Sequence, residues 1–203
     1  MTNYTMPTSP RIQSVVFRMA SRNAISTSPF TFQQQVIAHQ GQRWEVDVSL
    51  PPMRRDQAAA WLAWLAKLDG TLHTFNVGDP MNASPQGSAG GTPLVAGASQ
   101  TGASINIDGC ATSQTGWLKA GDYIQLGAAA DARLYMVTDD VDTNASGEAT
   151  VNIWPQIRTA PSDNASVIVS NTVGTFRLSS DASTWSFDNA KIYGIQFSGV
   201  GVV

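Results

Sequence analysis

Apolar and polar positions alternate most cleanly in "QRWEVDVSLPPM", where Trp44, Val46, Val48 and Leu50 are separated by Glu45, Asp47 and Ser49. A period of two predicts a strand with one buried face. The prolines that follow end it, because proline cannot donate to a ladder. Upstream, "QSVVFRM" (13–19) is rich in β-branched and aromatic residues and reads as a strand. "FTFQQQVIAHQG" stands between the two. Downstream the period changes. "DQAAAWLAWLAKLDG" is the one stretch that reads as a good α-helix, predicted over 54–69, with Asp56 in the first turn, Lys67 in the last and Gly70 closing it.

At 100° per residue, Ala58, Trp61, Leu65 and Leu68 form one apolar stripe, with Leu62 and Trp64 at its margins. The opposite side carries Ala59, Ala60, Ala63 and Ala66. Alanine is the best helix former, so these positions need no partner to explain them. Small side chains also let a second backbone approach closely, and that makes the four alanines the candidate assembly face.

Beyond the helix, "TLHTFNVGDP" returns as a strand, and 81–102 is linker-like in its Gly, Ala, Ser and Pro content. Short strands follow at close spacing: "ASINIDG", "DYIQLG", "ARLYMVTDDV", "ATVNIWPQI" and "SVIVSNT". Together they predict a small antiparallel barrel or sandwich. The stretch from Gly174 onward is expected to rejoin the first sheet. The predicted fold class is therefore mainly β, with 1–80 and 174–203 as one β domain bearing a flanking helix and 81–173 as an inserted β domain.

Composition narrows the chemistry. Charged residues make up 13% of the chain, against roughly 25% in typical soluble domains. The net charge is −3, so few charges keep surfaces apart and self-association is favoured. An acidic balance also argues against nucleic-acid binding by phosphate neutralisation. Cys110 is the only cysteine, which rules out an internal disulfide, and no metal or cofactor site is expected. The N-terminal residues lack the apolar core of a signal peptide, and no apolar run is long enough for a membrane span.

Catalytic motifs are absent from the sequence. His39 and His73 are far apart, and no G-x-S-x-G, H-E-x-x-H or P-loop occurs. Asp140, Asp142 and Asn144 imitate the start of a calcium loop. Ala145 and Val151 then stand where that loop needs glycine and glutamate, so a polar hairpin turn is expected instead. Trp117, just before "LKAGD", is the aromatic expected at the surface, where it would serve a carbohydrate-binding alternative.

The order of these pieces resembles the distal or minor tail proteins of long-tailed bacteriophages and related prophages. The resemblance rests on "WEVDVSLPPM", "RRDQAAAWLAWLAKLDG", "TFNVGDP", "LVAGASQTGASINIDG", "WLKAGDYIQLG" and the closing "FRLSSD…YGIQFSGV". It implies a non-enzymatic virion protein assembled in the host cytoplasm. The expected assembly is a ring, often a hexamer, at the tip of the tail. Its implied partners are further copies of itself, the tail tube protein, and the hub and other tail-tip proteins. The tape-measure protein and DNA would pass through its lumen without specific binding. A tail tube or tube-terminator subunit is the alternative within the structural class, and a cell-wall hydrolase is a weaker one. The apolar ending "GVGVV" departs from the acidic ending expected of the group and suggests an end buried in a neighbour.

Overall fold

The computed structural model describes residues 1–188 and 191–202. Strands take up 45% of it and helix 10%, and the sheets are antiparallel. Two strands open the chain, β1 (Ser14–Thr27) and β2 (Gln34–Ser49), paired directly from Ser14↔Ser49 to Thr27↔Gln34. They are longer than the hydrophobic pattern alone predicts. One ladder runs through "QQVIAHQG" (34–41), broken only by a bulge where Ser21 faces Gln42 and Asn23 faces Ala38, and the residues before it form the hairpin turn.

Helix α1 (Arg55–Leu68) follows. Arg54 precedes it without a side-chain cap, and Asp69 closes it at φ 47°, taking the left-handed position itself one residue ahead of Gly70. Next comes β3 (Phe75–Val77), after which the chain leaves the first sheet and makes β4 (Gly91–Val95), β5 (Gly102–Cys110), β6 (Tyr123–Leu126), β7 (Arg133–Val137), β8 (Ala149–Ile157) and β9 (Val167–Ile168). It returns with β10 (Gly174–Leu178), β11 (Trp185–Phe187) and β12 (Tyr193–Gly201). The apolar ending is described as far as Val202, and Val203 lies outside the described residues.

The first sheet has the order β1-β2-β12-β10-β3, with β11 on β12. Its period of two is real: Trp44, Val46, Val48 and Leu50 are buried, while Glu45, Asp47 and Ser49 are half-buried on the other face. The apolar face is covered by α1 through Trp61, Trp64, Leu65 and Leu68, and by Tyr4, Met6 and Ile12 of the N-terminal segment. Phe197 meets Trp61, Trp64 and Phe75 there at ring-centroid distances of 5.3–6.3 Å. The opposite face neutralises its own charges, with Arg18 paired to Asp47 and Arg43 to Glu45.

The second sheet has the order β4-β5-β8-β7-β6-β9, and a Leu94↔Ser166 bridge brings its two ends together into a nearly closed barrel. Composition alone makes 81–102 linker-like, yet β4 lies within that stretch. Its Pro93 is tolerated because β4 stands at the sheet's edge. Trp44 joins the two sheets. Its indole N–H donates to the Leu134 carbonyl at 2.9 Å, and its ring meets Trp154 edge-on at 4.6 Å and Tyr123 at 5.9 Å.

Candidate assembly surfaces

Past the bulge, the β1–β2 hairpin leaves the body of the molecule. Apart from half-buried Ser28, residues 21–40 are exposed. The root of this arm is fixed. Arg158 donates through Nη2 to the Gln40 carbonyl at 2.6 Å, and the Gln156 N–H donates to Gln42 Oε1 at 2.9 Å. Gly41 lets the strands close there, because a Cβ in its place would stand 2.9 Å from the Arg22 side chain. A bulge with this spacing also re-aims the strands beyond it.

The arm is apolar on both faces. Directly paired residues share a face, so Ile25 and Val36 lie on one side, Ala24 and Ile37 on the other. Ile25, Val36 and Ile37 are 63%, 58% and 52% exposed, and at the tip Phe30 and Phe32 reach 93% and 79%. The tip is ordered nonetheless: the Ser28 N–H donates to the Gln33 carbonyl and the Phe32 N–H to that of Ser28. Phe32 is held at φ 56°, a conformation that costs a bulky side chain about 1–3 kcal/mol and that collects at functional sites. Charge sets the arm apart as well. Residues 1–44 carry Arg11, Arg18, Arg22 and Arg43 and no acidic side chain, whereas 45–203 carry eight basic residues against fifteen acidic ones.

On α1, Ala59, Ala60, Ala63 and Ala66 are all exposed, while Ala58, Trp61, Trp64, Leu65 and Leu68 are buried. The helix thus shows solvent a smooth side of small residues.

Trp117 corrects an expectation. It is fully buried, not exposed, and its indole N–H donates to the Gly90 carbonyl at 2.8 Å. The cause is the glycine-rich segment before β4, which folds over it. A Cβ at Gly87 would collide with the Trp117 carbonyl oxygen, so only glycine allows this approach. Buried Asp122 holds the segment down, accepting from the N–H groups of Gln86 at 2.8 Å, Gly87 at 3.2 Å and Lys119 at 2.8 Å. Trp154 is half-buried against Trp44. Neither tryptophan offers a free platform to a sugar ring.

The remaining polar candidates serve the fold. Asp140 accepts from Lys119 Nζ at 2.8 Å, Asp142 from the Gly116 N–H at 2.6 Å, and Asn144 from the N–H groups of Ser146 and Glu148, both at 2.9 Å. The Lys119 bond holds the Asp140 carboxyl below the usual range. His39 stands exposed at the arm's bulge, and His73 near the end of α1 accepts from the Thr2 N–H at 3.1 Å. Cys110 is buried, and burial, helped by the Asp108 charge, pushes its thiol up to about 11. No described helix is long and apolar enough to cross a membrane.

The sequence signs for the arm were weak. "NAISTSPFTFQQQVIA" mixes apolar and polar residues without a clean period, because a strand with no buried face has no reason to alternate.

Comparison with known proteins turns on the barrel. Residues 81–173 match the family model of the distal tail protein pb9, B domain, a match that begins after β3 and ends before β10. No curated protein matches the chain. The barrel of 81–173 is thus similar to the B domain of a phage distal tail protein, and this likeness supports a structural protein of the phage tail.

Proposed function

We propose that this chain closes into a ring at the tip of the phage tail, joining the tail tube to the hub and host-recognition parts. In this reading 1–80 and 174–203 form the ring body, and the barrel of 81–173 projects outward. Tail parts are assembled in the host cytoplasm, with the tape-measure protein and DNA threading the lumen.

The observation that carries the reading is the arm. A two-stranded ribbon packed against nothing is marginally stable in water, and this one exposes Ile25, Phe30, Phe32, Val36 and Ile37. Such a surface is made to be covered in an assembly. The exposed Ala59, Ala60, Ala63 and Ala66 support a second contact, where a neighbouring backbone comes close to α1. The self-neutralised face of the first sheet, with Arg18–Asp47 and Arg43–Glu45 paired, suits a lumen that does not hold phosphates.

The test is the solution mass of the purified protein by light scattering, with negative-stain images of the same fraction. A closed oligomer with a central hole, a hexamer by the resemblance, is expected. A chain that stays monomeric at every concentration and also fails to cap isolated tail tubes overturns the reading.

A further inference from the structure

The outer face of the first sheet neutralises its own charges through Arg18–Asp47 and Arg43–Glu45, but at the root of the arm that balance ends. A pocket with a volume of about 230 Å3 opens there, lined by Ala20, Arg22, Gly41, Gln42, Arg43 and Arg158. Three arginines line it, and no acidic side chain does. We propose that this pocket binds a terminal phosphate group, free or carried on a small ligand, through Arg22, Arg43 and Arg158. The proposal does not rest on the ring reading.

The backbone builds the pocket. Between the pairs Ser21↔Gln42 and Asn23↔Ala38, β1 has the single residue Arg22 and β2 has residues 39–41. Such a bulge re-aims the side chains beside it. Gly41 lies beneath Arg22: a Cβ there would stand 2.9 Å from Cβ and Cγ of the arginine, so glycine leaves room for its stem to lie across β2. The other two cations are held in place by their own bonds. Arg158 donates through Nη2 to the Gln40 and Gln42 carbonyls at 2.6 and 3.3 Å. Arg43 donates through Nε and Nη2 to Glu45 Oε1 at 3.1 and 2.7 Å. The Nη1 groups of both take no part in those bonds and remain as donors. Arg22 is exposed and has no ion pair among the described residues.

Charge and size select the ligand. Three guanidinium charges less that of Glu45 leave a net charge of +2. Like charges gathered in one pocket repel each other, and an anion between them turns repulsion into attraction. A terminal phosphate is close to doubly charged above pH 7 and offers three acceptor oxygens. It therefore matches both the net charge and the three guanidinium forks, whose geometry suits phosphate oxygens. A carboxylate brings one charge and two oxygens, and leaves a fork unmatched. A nucleic-acid backbone brings one charge per phosphate and no terminal group, so the pocket does not grip a strand. Pockets for drug-sized ligands hold about 300–1,000 Å3. At about 230 Å3 this one suits the phosphate and little of what carries it.

Isothermal titration calorimetry of the full chain tests this, at pH 8 and low salt in a buffer without phosphate. Inorganic phosphate is expected to bind saturably, one per chain, to raise the melting temperature, and to bind more weakly as salt is added. Arg22→Ala is expected to weaken binding by about tenfold or more. Its melting temperature without phosphate should match the parent's, because Arg22 is exposed. Arg22→Lys keeps the charge and loses the fork, and should recover only part of the lost affinity. Glycerol 3-phosphate carries the same group on a molecule. Binding as tight as that of inorganic phosphate assigns the site to a carried phosphate, and weaker binding assigns it to the free ion. No saturable heat and no rise in melting temperature with phosphate overturns the proposal. Phosphate binding that Arg22→Ala leaves unchanged overturns it as well. A single-stranded oligonucleotide without terminal phosphates that binds more tightly than phosphate moves the contact to a phosphodiester backbone, and overturns the terminal-phosphate assignment.

Discussion

The barrel and the arm are built from the same ladder of antiparallel pairs, yet only one of them is complete. In the barrel, Trp117, Leu118, Ile124, Val137 and Val151 are buried, the sheet's ends meet at Leu94↔Ser166, and a glycine-rich segment is tied over the top by Asp122. In the arm, Ile25 and Val36 face each other on a surface open to water. Hydrogen bonds between strands contribute little net stability, because water offers the same bonds to the unfolded chain. Burial of apolar area makes the difference, at roughly 25 cal/mol per Å2. The barrel carries its own burial, and the arm has none within the chain.

The largest contrast comes from truncating an aromatic in each region. Trp117→Ala removes a fully buried indole and its bond to Gly90, at an expected cost of about 3–5 kcal/mol in urea unfolding. Phe30→Ala should leave the unfolding of the isolated chain within about 0.5 kcal/mol of the parent while weakening assembly. If Phe30→Ala lowers stability as much as Trp117→Ala does, the arm is packed in the monomer and the contrast fails.

Removing the arm sharpens the comparison further. Ser21 and Gln42 face each other across the bulge, so an Asn-Gly turn between them closes the shortened hairpin in the favoured two-residue form. The body should still fold cooperatively, with its melting temperature within about 4 °C of the parent, as a change near 1 kcal/mol implies for a chain of this size. Oligomers should be lost. An armless protein that still assembles would move the contact to the alanine side of α1.

Cys110 reports on the barrel's closure. Its thiol is raised to about 11 by burial and then by the Asp108 charge, so the native thiol is protonated at pH 8. Alkylation by iodoacetamide should be roughly a hundredfold slower in the native protein than in urea, following the drop in thiolate. The sign for stability follows. The unfolded chain releases this proton first, so the contribution is whole below the unfolded value near 9 and is lost as pH rises toward about 11. Melting temperatures between pH 8 and 10.5 should fall less in Cys110→Ala than in the parent. Fast native labelling would mean that the barrel opens.

Much of the body could be read from the sequence because burial leaves a periodic mark. Trp44 to Leu50 alternate, α1 shows its stripe, and the barrel strands stand between turn residues. The arm left no such mark, since neither of its faces is buried within one copy. Trp117 was misplaced for a related reason. A tryptophan beside a turn looks exposed until the glycine-rich segment is known to fold over it, and composition cannot tell a flexible linker from a glycine chosen for close approach. Ala59, Ala60, Ala63 and Ala66 could be read as an outward side of the helix, and all four are exposed.

The smallest expected effect compares two tryptophans of the first core, Trp44 on β2 and Trp61 on α1. Trp44 donates to the Leu134 carbonyl at 2.9 Å and so ties the sheet to the barrel, whereas the fully buried Trp61 indole N–H has no partner among the described residues. Trp44→Phe loses both ring contact with Trp154 and a bond that also satisfies a carbonyl, and should cost about 2–4 kcal/mol. Trp61→Phe also loses packing against Trp64 and Phe197, but it removes a buried donor whose desolvation costs about 1–3 kcal/mol when unpaired. The two effects oppose, so thermal unfolding should place Trp61→Phe within about 1 kcal/mol of the parent. Equal losses at the two positions would mean that ring packing alone sets stability in this core, and that the hydrogen bond at the junction adds nothing of its own.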